Sequence, residues 1–251
     1  MWRSLFSPKW LFLHAAILGL VVLMTNLSFW QFHRLDAKKL FNKTVTSHVA
    51  EPIREISTVL TDTTAVKDVE WRRVAVQGVF NAKDAVTVVN RSQDGSAGYN
   101  TVVPLMLPDG SAVLVNRGFI PLAMTTPDIS KNEVTVIGYL RVSQERTGLG
   151  LKDSDSKDTT EFQRVDVPRI ASQVDYTVLP MFLQLIQQDP VGASQWPAPV
   201  ALPPLDEGSH LSYAVQWLFF SLVALTAWII VIRRKLRGQI TDGAVQAHTS
   251  A

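Results

Sequence analysis

Imidazole is the side chain whose placement asks for a chemical explanation. The chain has five histidines: His14, His33, His48, His210 and His248. His210 opens the stretch HLSYAVQWLFF, and no charged residue follows it until Arg233. An imidazole there can be a polar anchor at a membrane–water boundary, or a ligand through a ring nitrogen. At 100° per residue on a helix, Ala214, Trp217, Ser221, Ala224 and Trp228 fall within about 40° of the line through His210. In the N-terminal apolar segment Gly19, Asn26 and His33 recur at seven-residue steps, and Trp30 lies about 60° from His33. Each segment therefore has a stripe with a histidine at its outer end, small or polar residues below it and a tryptophan beside it. A porphyrin or metal ligand is one reading of that stripe. The other is ordinary: tryptophan and tyrosine gather at membrane interfaces, and small residues let helices pack. No residue that would orient the His210 ring is legible, and Gln31 lies well off the His33 stripe. The residues alone leave both readings open.

Other chemistries have less to rest on. The chain has no cysteine, which excludes disulfides, iron–sulfur clusters, a cysteine nucleophile and thiolate metal sites. It also argues against a Cu(I) carrier built on paired thiolates. There is no G-x-x-x-x-G-K-[ST], no G-x-G-x-x-G after a strand, no G-x-S-x-G and no H-E-x-x-H. The carboxylates of the middle region are scattered, and nothing selects a pair for acid–base work. Neither a hydrolase nor a nucleic-acid partner is indicated.

Two apolar runs must position the histidines. Trp10 to Trp30 and Leu211 to Ile232 carry no acid or base over 21 and 22 residues. About 20 such residues span a hydrocarbon core of roughly 30 Å. Both runs are expected to be transmembrane helices, the first an uncleaved anchor because it exceeds a signal-peptide core and lacks an A-x-A site. Residues 31–210 hold 18 Lys+Arg against 21 Asp+Glu. The tails are basic, and RRKLR follows the second span directly. Lys/Arg excess beside span ends marks the cytoplasmic side. Both termini are thus expected in the cytoplasm and the middle domain across a bacterial plasma membrane, although Arg34, Lys38, Lys39 and Lys43 run against that rule.

The expected organisation is a cytoplasmic N-terminus (1–9), a first span (10–30), a helical extension (31–50), an outer-face domain (51–209), a second span (210–232) and a basic cytoplasmic tail (233–251). In the middle domain the period changes to two. WRRVAVQGVF (71–80), AVTVVNR (85–91), NTVVPLML (100–107), SAVLVNRGFI (111–120), EVTVIGYLRV (133–142) and MFLQLIQQ (181–188) read as strands separated by turn residues. DVPRIASQV (166–174) reads as a short helix capped by Asp166, with Pro168 in its first turn. The fold class is integral membrane α+β: two transmembrane helices flank a mainly antiparallel sandwich or barrel-like β domain with one short helix.

Five segments in register carry a resemblance. HLSYAVQW, NLSFWQFHRLDAKK, RRVAVQGVF, the pair GYNTVVPLM and VLVNRGFIP, and VIGYLRVSQE resemble the surfeit-locus (Surf/Shy) family of cytochrome c oxidase assembly factors, from Asn26 to about Arg233. The resemblance implies a non-enzymatic role in maturing haem–copper oxidase, where haem a enters the catalytic subunit. It implies the catalytic subunit of the respiratory complex as partner, the lipid bilayer as setting, and a link to the haem a synthesis machinery. It also implies that His210, as the second-span histidine, ligates haem a. His33 departs from the family motif; a role for it as second ligand is inferred from depth and stripe. Trp217 and Trp30 are expected beside the ring, and Arg117, Arg34, Arg72 or Arg73 at the propionates. Gln31, Asn116, Gly118, Tyr213 and Gln216 complete the matched positions. The rival readings are a cofactor-free scaffold for an oxidase intermediate, an outer-face enzyme and a two-span sensor.

Overall fold

The computed structural model describes residues 5–249 except 62, 147, 149, 155, 157 and 193, with side chains described as far as residue 237. In chain order the elements are α1 (Pro8–Ala50), β1 (Arg54–Glu55), α2 (Ile56–Val59), β2 (Arg73–Phe80), β3 (Val86–Gln93), β4 (Ser96–Met106), β5 (Ala112–Pro121), β6 (Glu133–Val142), β7 (Glu161–Phe162), α3 (Val167–Ala171), β8 (Val178–Asp189) and α4 (His210–Thr249). They form two compact units, Met1–Asn42 with Leu205–Ala251, and Lys43–Pro204.

In the first unit α1 and α4 are both long and apolar enough to cross a membrane. The less exposed positions of α1 run Trp10, His14, Ile17, Val21, Met24, Ser28, Gln31 and Leu35. Alternating steps of four and three are the heptad spacing that keeps one helix seam against another. The matching seam of α4 is His210, Ala214, Trp217, Ser221, Ala224 and Trp228, the stripe read from the sequence. Apolar side chains such as Leu18, Val22, Phe219 and Leu222 face outward instead. Among them the contact is polar and direct. Trp228 Nε1 donates to His14 Nδ1 at 3.0 Å, Thr25 Oγ1 meets Ser221 Oγ at 3.3 Å, and Ser28 Oγ donates to the Ala214 carbonyl at 2.9 Å. Beyond His210 the ladder continues through Asn42 Nδ2 to the Leu205 carbonyl (2.8 Å) and an exposed Lys39–Glu207 ion pair (3.6 Å). Hydrogen bonds and small side chains are the means by which apolar helices recognise one another where lipid removes the hydrophobic drive.

The second unit is a sheet that closes on itself. The order β1-β2-β6-β8-β5-β4-β3-β7 is joined back by β2–β4 pairing at Val79↔Met106 and Phe80↔Leu105. The ring β2-β6-β8-β5-β4 is thus barrel-like, as one of the two expected architectures. The sheet is mixed, however, and this corrects the mainly antiparallel expectation. β5 and β8 run parallel, as do the short pairs β1–β2 and β3–β7. Parallel neighbours need a long crossover, and residues 122–177 supply it between β5 and β8. Two cores result. Val113 and Val115 of β5 and Met181 and Leu183 of β8 point into one, while Leu114 and Phe182 point into the other. Burial on both faces is why these strands read as continuous apolar runs. The second core is covered by α3, whose N-cap Asp166 accepts from Arg169 N, and by Phe162 of β7.

Candidate functional site

His210 begins α4, and its partner is Gln31. His210 Nδ1 lies 2.9 Å from Gln31 Oε1. An amide oxygen only accepts, so Nδ1 is the donor, and in the neutral ring this leaves Nε2 with the lone pair. This is the arrangement in which a metal-binding histidine is usually held: one nitrogen donates to a fixed acceptor, and the other is left basic. Among the described residues Nε2 has no hydrogen-bond partner. Gly208, at φ 65°, sits beside it; a Cβ there would come within 3.5 Å of Cδ2 and 3.7 Å of Nε2. The turn is fixed by Gly208 N donating to Asp206 Oδ1 at 2.8 Å. The sequence thus shapes a half-buried imidazole with one nitrogen held and one uncovered.

His33 is not brought to this site. Its Nδ1 lies 2.8 Å from the Phe29 carbonyl of its own helix, and the side chain is exposed. Two residues from Gln31 is about 200° around the helix. The stripe Gly19, Asn26, His33 is exposed throughout, and Asn26 Nδ2 also bonds back, to the Val22 carbonyl. The α1 seam is therefore the other heptad-spaced series, through Ser28 and Gln31. His14, which lies off the expected stripe, belongs to it, between Trp10 and Trp228 with ring centroids at 5.7 and 5.5 Å. Trp30 is exposed, as are Tyr213 and Gln216. Trp217 is half-buried on the seam, edge-on to Phe220. Arg34 is exposed one turn from Gln31. One turn below, the two helices close on each other: the Ser28–Ala214 bond joins side chain to backbone directly, with Ser28 at 1% and Ala214 at 0% exposure.

The VNRGF motif does its work inside the β domain. Thr101 pairs with Gly118 and Val102 with Asn116, so Arg117 is the extra residue of a bulge. A bulge re-aims a side chain, and here it turns the guanidinium inward. Asn116 Oδ1 accepts from Gly118 N at 3.1 Å. Gly118 has φ 128°, and a Cβ there would lie 2.1 Å from the Ala198 carbonyl oxygen. That absence lets residues 196–199 strap the strand through Phe119 N to Ala198 O and Ala198 N to Phe119 O. Arg72 and Arg73 are engaged locally, Arg72 in an ion pair with Glu51 at 3.4 Å and Arg73 through Nη2 to the Glu51 carbonyl. Arg141 lies 3.6 Å over the Trp71 ring and bonds Glu70 and Gln184. Sequence reasoning missed Gln31 as the orienting residue. The signal was its seven-residue spacing from Met24 and Ile17, hidden because α1 is apolar on every side.

Two helices of membrane-crossing length, a closed mixed sheet between them in sequence and a held histidine at the start of the second helix define a class rather than a chemistry. The SURF1 family model matches residues 18–222, and the chain belongs to that family. An uncharacterized SURF1-like protein of Mycobacterium tuberculosis is 26% identical over 230 residues, covering 88% of this chain and 82% of its own. Human Surfeit locus protein 1 is 24% identical over 250 residues, covering 90% and 79%. The cytochrome oxidase assembly protein SHY1 of Saccharomyces cerevisiae is 33% identical over 135 residues, covering 51% and 33%.

Proposed function

We propose that this protein serves the assembly of haem–copper cytochrome c oxidase, and that His210 holds haem a on its way to the catalytic subunit. Family membership and the name of the yeast relative support the first part. The second part is carried by one observation, the His210 Nδ1–Gln31 Oε1 hydrogen bond. The donor set fits a haem-binding imidazole. Nε2 would hold the iron, and the bound haem would supply an iron centre that an imidazole can bind and release. Gln31 keeps the proton on Nδ1, Gly208 leaves the neighbourhood of Nε2 free of a side chain, and Arg34 supplies a guanidinium one turn from Gln31 for a propionate. His33 has no part in it. The setting is a bacterial plasma membrane, with residues 43–204 on the outer face. The catalytic subunit is the receiving partner, and the haem a synthesis machinery is the supplier.

A cofactor-free scaffold is the second reading, favoured by the closed seam between α1 and α4. Purification of wild type and His210→Ala from cells making haem a separates the two. Wild type is expected to carry a Soret band and haem a pigment that the variant loses while remaining in the membrane. Colourless wild type, or a variant with full pigment and an unaltered spectrum, overturns the haem reading and leaves the scaffold.

A further inference from the structure

The β domain holds a feature that the helix-pair site does not use. Arg117 is 5% exposed, yet its Nε and Nη1 are buried with no hydrogen-bond acceptor. The Phe80 ring lies 5.4 Å from the guanidinium carbon, which covers one face but leaves the in-plane N–H groups unanswered. Two other arginines of the domain have acceptors. Arg141 has Glu70 and Gln184, and Arg164 has Asp153 at 2.9 Å. Burial without an acid beside it lowers the Arg117 pKa from its ordinary value. An unpaired buried cation is costly to keep. The bulge and the glycine strap nevertheless hold it in place.

Arg117 lines a cavity of about 250 Å³ between the end of β8 and the strap 196–199, with Val191, Gly192 and Ser194 at its side. Trp196 lines the same cavity, and its Nε1 is also buried without a partner. The remaining wall joins Leu185, Val191 and Pro199 to the polar Gln187, Gln188 and Gln195, and among the described residues no acid lines it. Two side chains with unanswered donors, one of them cationic, thus come from different elements to the wall of one space, their free N–H groups lying beneath its surface. We propose that this cavity binds a single carboxylate, taken by the Arg117 guanidinium and the Trp196 indole N–H, with its short stem against the apolar wall. A guanidinium edge matches the two oxygens of a carboxylate. One cation matches one negative charge, and the volume lies just below the roughly 300 Å³ where pockets for larger ligands begin. The carboxylate can come from a free short-chain acid or from the C-terminus of a peptide chain. The proposal stands apart from the haem reading and does not depend on it.

The test uses the full chain in nanodiscs with ¹⁵N-labelled tryptophan. Propionate is expected to shift one indole N–H signal saturably, and neutral propanamide to leave it in place. Trp196→Phe should delete that signal and weaken propionate binding, measured by calorimetry, by about tenfold or more, as for loss of one hydrogen bond to a charged group. Arg117→Lys should weaken it similarly. Trp196 is only half-buried, so the first variant reports even where the second fails to fold. A tripeptide with a free C-terminus, compared with its amide, separates the sources: a shift by the acid form alone assigns the pocket to a chain end, and a response to propionate without one assigns it to small acids. No response to either carboxylate, or an equal response to propanamide, overturns the proposal.

Discussion

At the residue scale, two positions have consequences that differ from those of their neighbours. Gly118 combines φ 128° with a would-be Cβ contact of 2.1 Å to the Ala198 carbonyl oxygen. Gly118→Ala should cost about 2–4 kcal/mol, because strain and displacement of the strap add. Gly110 is the control: it has φ 84° with nothing within 4 Å, so Gly110→Ala should cost about 1–2 kcal/mol for the backbone alone. Thermal unfolding of both variants in detergent checks the difference, and equal losses would deny the strap its role. Gln31 is the second position. If it orients His210, Gln31→Leu should lower bound haem about 10–100-fold, and Gln31→Glu should retain it because the acceptor is kept. Pigment-to-protein ratios measure this. Loss in both variants would point to general damage instead.

At the element scale, what the sequence made legible depended on which side of an element was distinctive. The α4 seam could be read because His210, Ala214, Ser221 and Ala224 are small or polar within an apolar run. The α1 seam could not, because Gly19–Asn26–His33 and Ser28–Gln31–Leu35 both recur with heptad steps, and lipid-facing helices are apolar all round. All six expected strands were legible, β2 and β6 by alternation and β5 and β8 as apolar runs buried on both faces, and the Asp166 cap fell where its side chain chemistry placed it. The parallel β5–β8 contact was not, since pairing across residues 122–177 leaves no local pattern. Two-residue strands β1 and β7 are too short to carry a period. The seam itself can be tested cleanly, because the chain has no native cysteine. Thr25 Oγ1 and Ser221 Oγ are 3.3 Å apart, so cysteine sulfurs at these two positions come within reach of each other for a disulfide. The double variant T25C/S221C should cross-link under mild oxidation, seen by mass spectrometry of the digested protein. N26C/S221C should not, because Asn26 lies outside the seam. Cross-linking in the second pair but not the first would restore the stripe through His33.

At the scale of the whole molecule, the proposed function requires that both apolar helices cross the membrane and that residues 43–204 lie on its outer face. In that proposed topology the two tails share a compartment and the domain takes the other. Charge decides which. The stretch RRKLR directly after the second apolar run concentrates positive charge at one end, while the middle region is net acidic. Lys and Arg near span ends are retained in the cytoplasm, whereas long domains translocate largely regardless of their own charge. The cluster Arg34, Lys38, Lys39 and Lys43 runs against that bias, and the length of the domain that follows outweighs it. A reporter fused after Ala251 should therefore be active only in the cytoplasm, and one inserted between β6 and β7 only outside it. The haem reading depends on this result, because His210 opens the second run at the end away from RRKLR and would face the outer boundary. A cytoplasmic signal from the inserted reporter would reverse the topology, place His210 at the inner boundary, and require any delivery of haem a to begin from that side.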